Sequence, residues 1–429
     1  MAIISFAMNL CAPELPEKIK WILIGLLAMK MIGSVAYFEH FFIIRESGNV
    51  TITAYGDSFL HHRAAVEFLE SWAKNGTDLG LNPDNQASYE PSLVTSLGYS
   101  GLLALIYFVA GIVPEVGIVV NAFLSFIFCL LSYKLFIIAG LSTRTALVGL
   151  VILFFCPGLW LWSALLYKDS LLFTIVAACT LAAIKLIDKY SWRSLLLVIV
   201  LLVLLLTLRF SFVIPLLALL LFGSFYLSQT TFKKSLFVSL AGGGVLIALL
   251  IIQVNFNLMN TTVSIMDTVK TVIDLKPAGG NFMTNGIGSI SPNISNFWYT
   301  LPARAVYILM IPMPWFGGNS GVERFDYIVS HLDAVYDITL FMALLITLFQ
   351  RKYIESIKIQ NTLLVIGLMY FIIPLFFFSP GRRYMTIAMP FLLVYTLPFL
   401  IQKKNAITSL IMAAIFISIV QITYYAIYS

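Results

Sequence analysis

Asp57 lies in the stretch Tyr55-Gly-Asp-Ser-Phe-Leu-His-His62, directly after the first long apolar run of the chain. A carboxylate at a partly desolvated boundary between water and lipid can take a proton from a hydroxyl in a transition state, which is general-base chemistry. The residues after it read as a helix presenting His61, Ala65, Phe68 and Trp72 on one stripe, because residues three or four apart share a helical face. Asp57 and His61 are then neighbours. A plainer role is also open, in which Asp57 caps this helix by accepting backbone N–H bonds. His61 and His62 either orient the acid, bind a phosphate, or simply meet water.

A second group is cationic: Lys168 beside Asp169, Arg209 inside a long apolar run, and the pair Arg382-Arg383. Ionisable groups held close to a membrane are costly, so their presence asks for a use. Guanidinium offers a planar fork to phosphate oxygens and lysine a point charge, so a lipid phosphate or diphosphate is a fitting ligand. Such a clamp also stabilises a departing phosphate. The alternative is snorkelling of long side chains to headgroups, with no substrate involved. Asp57 is thus the candidate catalytic residue, and His61, His62, Lys168, Asp169, Arg209, Arg382 and Arg383 are candidate substrate-binding residues. No metal site and no cofactor is expected. The four cysteines, Cys11, Cys129, Cys156 and Cys179, have neither zinc nor redox spacing and are expected to be free thiols. The glycines around 277–288 follow no strand and read as loop punctuation, not as a phosphate cradle.

The elements that must position these residues are membrane helices. The chain has 429 residues of which 60% are hydrophobic and 11% charged, and its mean hydropathy is +0.96. That is too little charge to cover a soluble globule. Apolar runs of roughly 17 to 25 residues recur, the length that carries a helix across about 30 Å of hydrocarbon. Period-two alternation is missing, which argues against a barrel. The net charge of +6 fits basic cytoplasmic loops and not a nucleic-acid face. Residues 1–15 lack a basic leader, and no small-residue cleavage site follows 19–42, so the first run is expected to be an uncleaved anchor.

Short basic loops stay inside, and this sets the topology. The first span, 19–42, runs outward from Lys18 and Lys20. Spans at about 115–138, 145–165 and 169–185 follow, with Arg144, Lys185, Lys189 and Arg193 inside. The segment 194–229 is expected to be two short helices with Arg209 at the outer apex, because a single helix would invert every later basic loop. Further spans fall at 235–254, 334–349, 362–378, 384–401 and 406–425. The expected fold is an all-α polytopic membrane protein of about eleven spans, one domain over 1–429. Its extracytoplasmic loops cover 44–115 and 255–333, and each carries an interfacial helix, at 94–113 and 298–315. Sequons at Asn49, Asn75, Asn260 and Asn293 all fall outside.

Several stretches resemble the GT-C type membrane glycosyltransferases that use polyprenyl-phosphate-linked sugars, including the aminoarabinose transferases and protein O-mannosyltransferases. Tyr55-Gly-Asp-Ser-Phe-Leu-His-His-Arg-Ala-Ala65 is similar to that family's acidic motif in the first outer loop. Gly98–Tyr107 resembles its interfacial helix, Pro157–Asp169 its outer turn, and Gly381-Arg-Arg-Tyr-Met-Thr-Ile-Ala-Met-Pro390 its arginine-tyrosine turn. The likeness covers most of the chain in architecture. Many members carry two adjacent acids, whereas Gly56 and Ser58 flank Asp57 here, which puts a metal site in doubt. The resemblance implies an inverting transfer at the outer face of a bacterial cytoplasmic membrane, in envelope or exopolysaccharide assembly. Its partners would be a polyprenyl-linked sugar donor and a glycan or lipid acceptor, with no nucleic acid. Two other readings remain: an O-antigen or exopolysaccharide polymerase, and a lipid-linked glycan flippase or transporter. Transporters usually carry ionisable groups or broken helices near the bilayer midplane, whereas the charges of this sequence are expected at the outer edge.

Overall fold

The computed structural model describes residues 2–46, 49–52, 56–75, 97–209, 212–227, 321–349, 358–377, 382–402 and 415. Helix α1 (Ala2–Cys11) precedes α2 (Glu17–Phe42), whose first turn is fixed by Pro16. The Pro16 carbonyl accepts from the amides of Ile19 and Lys20. Lys20 donates to Glu17 at 2.8 Å and to Asn9 at 2.9 Å, tying α1 to α2. After α2 comes a hairpin, β1 (Ile43–Glu46) and β2 (Asn49–Ile52), antiparallel with Ile43 opposite Ile52. Helix α3 (Gly56–Asn75) carries Asp57, and α4 (Leu97–Ala110) is the short apolar helix expected in the first outer loop.

Helix α5 (Pro114–Ile138) begins with proline in its first turn, where the missing N–H costs nothing. It ends at Ala139, and Gly140 follows with φ +83°, a left-handed residue that lets the Leu141 amide reach back to the Phe136 carbonyl. Ser142 then caps α6 (Thr143–Phe154) by accepting from the Thr145 amide at 3.2 Å. Helix α7 (Pro157–Ser163) follows at 54° to α6. The span expected over 145–165 is therefore broken, and the break sits at Cys156-Pro157, where proline removes a helical donor. Helices α8 (Asp169–Asp188) and α9 (Trp192–Leu208) form the next hairpin, with Ser191 capping α9.

Arg209 ends α9, as expected of an apex. The chain returns through α10 (Val213–Ala218), a π turn (Leu219–Gly223) and α11 (Ser224–Leu227). The last described elements are α12 (Gly321–Phe349), α13 (Lys358–Phe377) and α14 (Arg382–Gln402). Helix α12 starts well before residue 334, where the sequence placed the span, and so takes Asp333 into its interior.

Among the described residues three helices, α2, α5 and α8, are long and apolar enough to cross a membrane, and the bent pair α6–α7 makes a fourth if counted as one span. This makes the chain a helical membrane protein. Helices α9, α13 and α14 carry shorter apolar stretches. The spans expected at 235–254 and 406–425 and the interfacial helix at 298–315 lie outside the described residues, apart from Ile415.

One buried apolar cluster runs through α2 to α14. Close approaches depend on glycine: a Cβ at Gly149 of α6 would come within 2.5 Å of Phe136 and 2.7 Å of Leu397, so only hydrogen lets α5, α6 and α14 meet there. Gln360 at the start of α13 donates to the Ala139 carbonyl at 2.9 Å. That bond ties the start of α13, which carries Lys358, to the end of α5, five residues before Arg144, and this is the basic end of the bundle. Trp21 and Trp192, both largely exposed, sit early on α2 and α9, where indole rings favour a headgroup boundary.

Candidate functional site

At the opposite end of the bundle, side chains link the elements that carry the candidate residues. His61 of α3 is buried, with Nδ1 3.1 Å from Ser100 Oγ and its ring edge-on to Tyr99 at 5.0 Å. One residue on, His62 Nδ1 lies 2.8 Å from the Tyr107 hydroxyl. The stripe read from the sequence is the packed face of α3: Ala65 is buried, and Phe68 and Trp72 are partly buried against the core. Both histidines thus staple α3 onto α4. Burial lowers the His62 pKa below its usual 6.5 while Glu115 pulls the other way.

Tyr99 carries the connection onward. Its hydroxyl accepts from Asn121 Nδ2 of α5 at 2.8 Å, and the same amide donates to the carbonyls of Leu165 at 2.7 Å and Tyr167 at 3.1 Å. Those carbonyls belong to the turn between α7 and α8, immediately before Lys168 and Asp169. Lys168 is 8% exposed and Asp169 1%, so this turn is a packed element of the bundle. The end of α9 joins the same cluster. A Cβ at Gly98 would stand 3.1 Å from Thr207 Oγ1, two residues before Arg209, so α9 reaches the start of α4 next to Tyr99. The Arg209 guanidinium lies 5.8 Å from the Phe212 ring, and the Phe212 carbonyl accepts from Tyr370 of α13 at 2.9 Å.

The backbone carrying Asp57, Lys168, Asp169 and Arg209 therefore gathers at one end through α3, α4, α5 and the start of α8. Asp57 is the second residue of α3 and Arg382-Arg383 open α14; the side chains of these three fall outside the described residues. Asn121, which connects Tyr99 to the Lys168 turn, was missed in the sequence. The available signal was an amide inside a run where every other side chain of that face is apolar or small.

A second polar cluster lies midway along the helices and was also missed. At the break between α6 and α7, several backbone groups released from helical bonding meet side chains. The Gly158 amide donates to Asp333 Oδ1 at 2.6 Å, and the Cys156 thiol lies 3.8 Å from the same oxygen. The Phe154 carbonyl accepts from the Trp160 indole at 2.7 Å, and the Ile152 carbonyl from the Tyr336 hydroxyl. Lys30, fully buried on α2, points its ammonium at the Leu159 carbonyl at 3.5 Å, between the rings of Phe154 and Trp160 at 5.5 and 5.4 Å. Irregular backbone at membrane depth survives only when protein groups satisfy it, and these side chains do so. The expectation that charge gathers only at the outer edge is corrected: Lys30, Asp333 and Asp337 are buried inside helices. A lone lysine in an apolar run and two acids four residues apart were the signals.

Among the described residues no group of three or more His, Cys, Asp and Glu side chains is placed to hold a metal ion, and the four cysteines are free and buried. Comparison with protein-family models, with curated proteins and with solved structures gives no match.

Proposed function

We propose that the protein is an inverting membrane glycosyltransferase that moves a sugar from a polyprenyl-phosphate-type donor to an acceptor hydroxyl at the outer face of a bacterial cytoplasmic membrane. Asp57 takes the proton from the acceptor as its oxygen attacks the anomeric carbon, and the lipid phosphate leaves with the electrons of the broken C1–O bond. Lys168 and Arg209, with Arg382 and Arg383, hold that phosphate and offset its growing charge. The observation that supports this reading best is the path His61–Tyr99–Asn121–Leu165/Tyr167, which ties the helix carrying Asp57 to the turn carrying Lys168. His61 and His62 serve by holding α3 in place, and the products enter envelope or exopolysaccharide assembly.

A second reading, a flippase or transporter of lipid-linked glycans, gains weight from the broken pair α6–α7 with buried charges beside it, since discontinuous helices and mid-bundle ions mark transport sites. Purified protein supplied with a labelled polyprenyl-phosphate sugar separates the readings. A new glycosidic bond that disappears in Asp57→Asn supports the transferase. Lipid translocation without bond formation sinks it in favour of the transporter, and products lengthened by whole repeat units point to a polymerase.

A further inference from the structure

The basic end of the bundle engages some of its cations within the protein and leaves others open. Lys20 donates to Glu17 and Asn9, and Lys134 to the Leu10 carbonyl. The turn between α8 and α9 differs. Lys185, Lys189 and Arg193 are exposed there, and among the described residues none of these side chains has an ion-pair or hydrogen-bond partner. The only acid between Lys185 and Arg193 is Asp188. The last turn of a helix favours cations, which accounts for Lys185 and Lys189 at the end of α8. Arg193 lies in the first turn of α9, where the helix dipole disfavours a cation, so nothing in its own helix accounts for it.

An apolar strip gives the independent observation. Arg193 shares a helical face with Leu196, Leu197 and Val200, because residues three, four and seven apart align on a helix. These three leucine and valine side chains are exposed, as are Val203 and Leu204, whereas Val198, Leu202 and Leu205 are buried against the bundle. Trp192 opens the strip, 69% exposed and edge-on to Tyr190 at 5.6 Å. An indole in that position suits a headgroup boundary. At 1.5 Å per residue the strip from Trp192 to Leu204 is about 18 Å long, close to the roughly 15 Å depth of hydrocarbon in one leaflet.

From this we infer that the α8–α9 turn and the outward strip of α9 form a site for one anionic phospholipid. Lys189 and Arg193 hold its phosphate, with Lys185 one turn behind, and an acyl chain lies along Leu196, Val200 and Leu204. A guanidinium beside an ammonium matches a phosphodiester, and cations at the surface favour acidic over zwitterionic lipid. A soluble anion would leave the strip uncovered, and a soluble protein cannot follow a face that runs a leaflet deep. The site is independent of the transferase reading, because α8 runs from the Lys168 turn to this one and so separates it from the end that carries Asp57.

The test uses bromine on acyl chains, which quenches the fluorescence of an indole it touches. The purified full chain is placed in nanodiscs of phosphatidylcholine and phosphatidylglycerol with one lipid brominated at a time. The quenching that disappears in Trp192→Phe reports the lipid beside Trp192. The expected result is a preference for phosphatidylglycerol of about five-fold or more. It is abolished in the double variant Lys189→Gln/Arg193→Gln, kept in Arg144→Gln, which removes an exposed cation from another turn, and unaffected by soluble glycerol phosphate. Equal quenching by both lipids means unselective contact and overturns the proposal. A preference that survives the double variant places the selectivity elsewhere and overturns it equally. Competition by glycerol phosphate makes this a site for the free anion, and no quenching of Trp192 by either lipid means that protein covers the strip; each refutes the lipid site. If the double variant fails to fold, Arg193→Gln decides alone.

Discussion

The bundle has two polar regions that resemble each other in chemistry and differ in what they hold. At one end, His61, Tyr99 and Asn121 connect successive elements of the first half of the chain and finish on the turn before Lys168. In the middle, Asp333 and Tyr336 of α12 reach residues of α6 and α7 lying 175 and 184 positions earlier. The end region ties together the backbone elements that carry the candidate ionisable residues. The middle region spends its side chains on backbone groups that a broken helix would otherwise leave unbonded. The chain around the break is thus fixed on both sides: α7 is held at Gly158 and Leu159 by α12 and α2, and the turn beyond it at Leu165 and Tyr167 by α5.

This contrast can be broken by substitution. Asn121→Ala removes an NH2 group whose two hydrogens serve the Tyr99 hydroxyl and the Leu165 and Tyr167 carbonyls, so it should lower stability by about 2 kcal/mol at roughly 1 kcal/mol per N–H. Sugar transfer should fall with it, since the Lys168 turn loses its tie. Measurement of both melting and turnover checks this, and a variant that melts early yet turns over normally would separate Asn121 from the site.

The middle region should behave as a coupled pair. A Cβ at Gly158 would lie 2.5 Å from both carboxylate oxygens of Asp333, so Gly158→Ala must displace that acid. Gly158→Ala and Asp333→Ala are each expected to cost about 1–3 kcal/mol, and the double variant less than their sum, because each destroys the same contact. Additive losses would deny the latch. At the basic end, Gln360→Ala should cost only about 1 kcal/mol through the lost bond to Ala139 and leave transfer intact. Detergent-solubilised protein scanned by calorimetry is sufficient for both.

The smallest effect concerns pH. Burial lowers the His62 pKa below 6.5, so between its folded value and 6.5 the unfolded chain binds the proton and the folded chain does not. Stability from the α3–α4 contact is therefore present above about pH 6.5 and declines as pH falls through the folded value. Protection factors of α3 amides, the intrinsic exchange rate at each pH divided by the observed one, should fall on acidification in wild type and lose that dependence in His62→Phe. Protection that rises in acid would reverse the sign and refute the assignment.

What the sequence revealed was local. The spans read at 115–138 and 169–185 lie close to α5 and α8, whose ends are set by groups within a few residues. Arg209 interrupts its apolar run where the chain turns, and the stripe from His61 to Trp72 is the packed face of α3. The break at Pro157 was hidden because the apolar run continues through it, so hydropathy reads one span where proline makes two helices. Helix α12 extends back to Gly321 through charged residues that hydropathy assigns to a loop. Asn121, Lys30 and Asp333 act on partners 22 to 175 residues away, and no local pattern reports such pairings.

The central claim is that the end region performs glycosyl transfer with Asp57 as its base. Steady-state transfer from a labelled polyprenyl-phosphate sugar, compared between wild type and an Asp57→Asn variant of equal melting temperature, tests it most directly. The account predicts a fall in kcat of about 10²–10⁴ with KM for the donor nearly unchanged, the loss proper to a general base. Turnover by Asp57→Asn at the wild-type rate would contradict it.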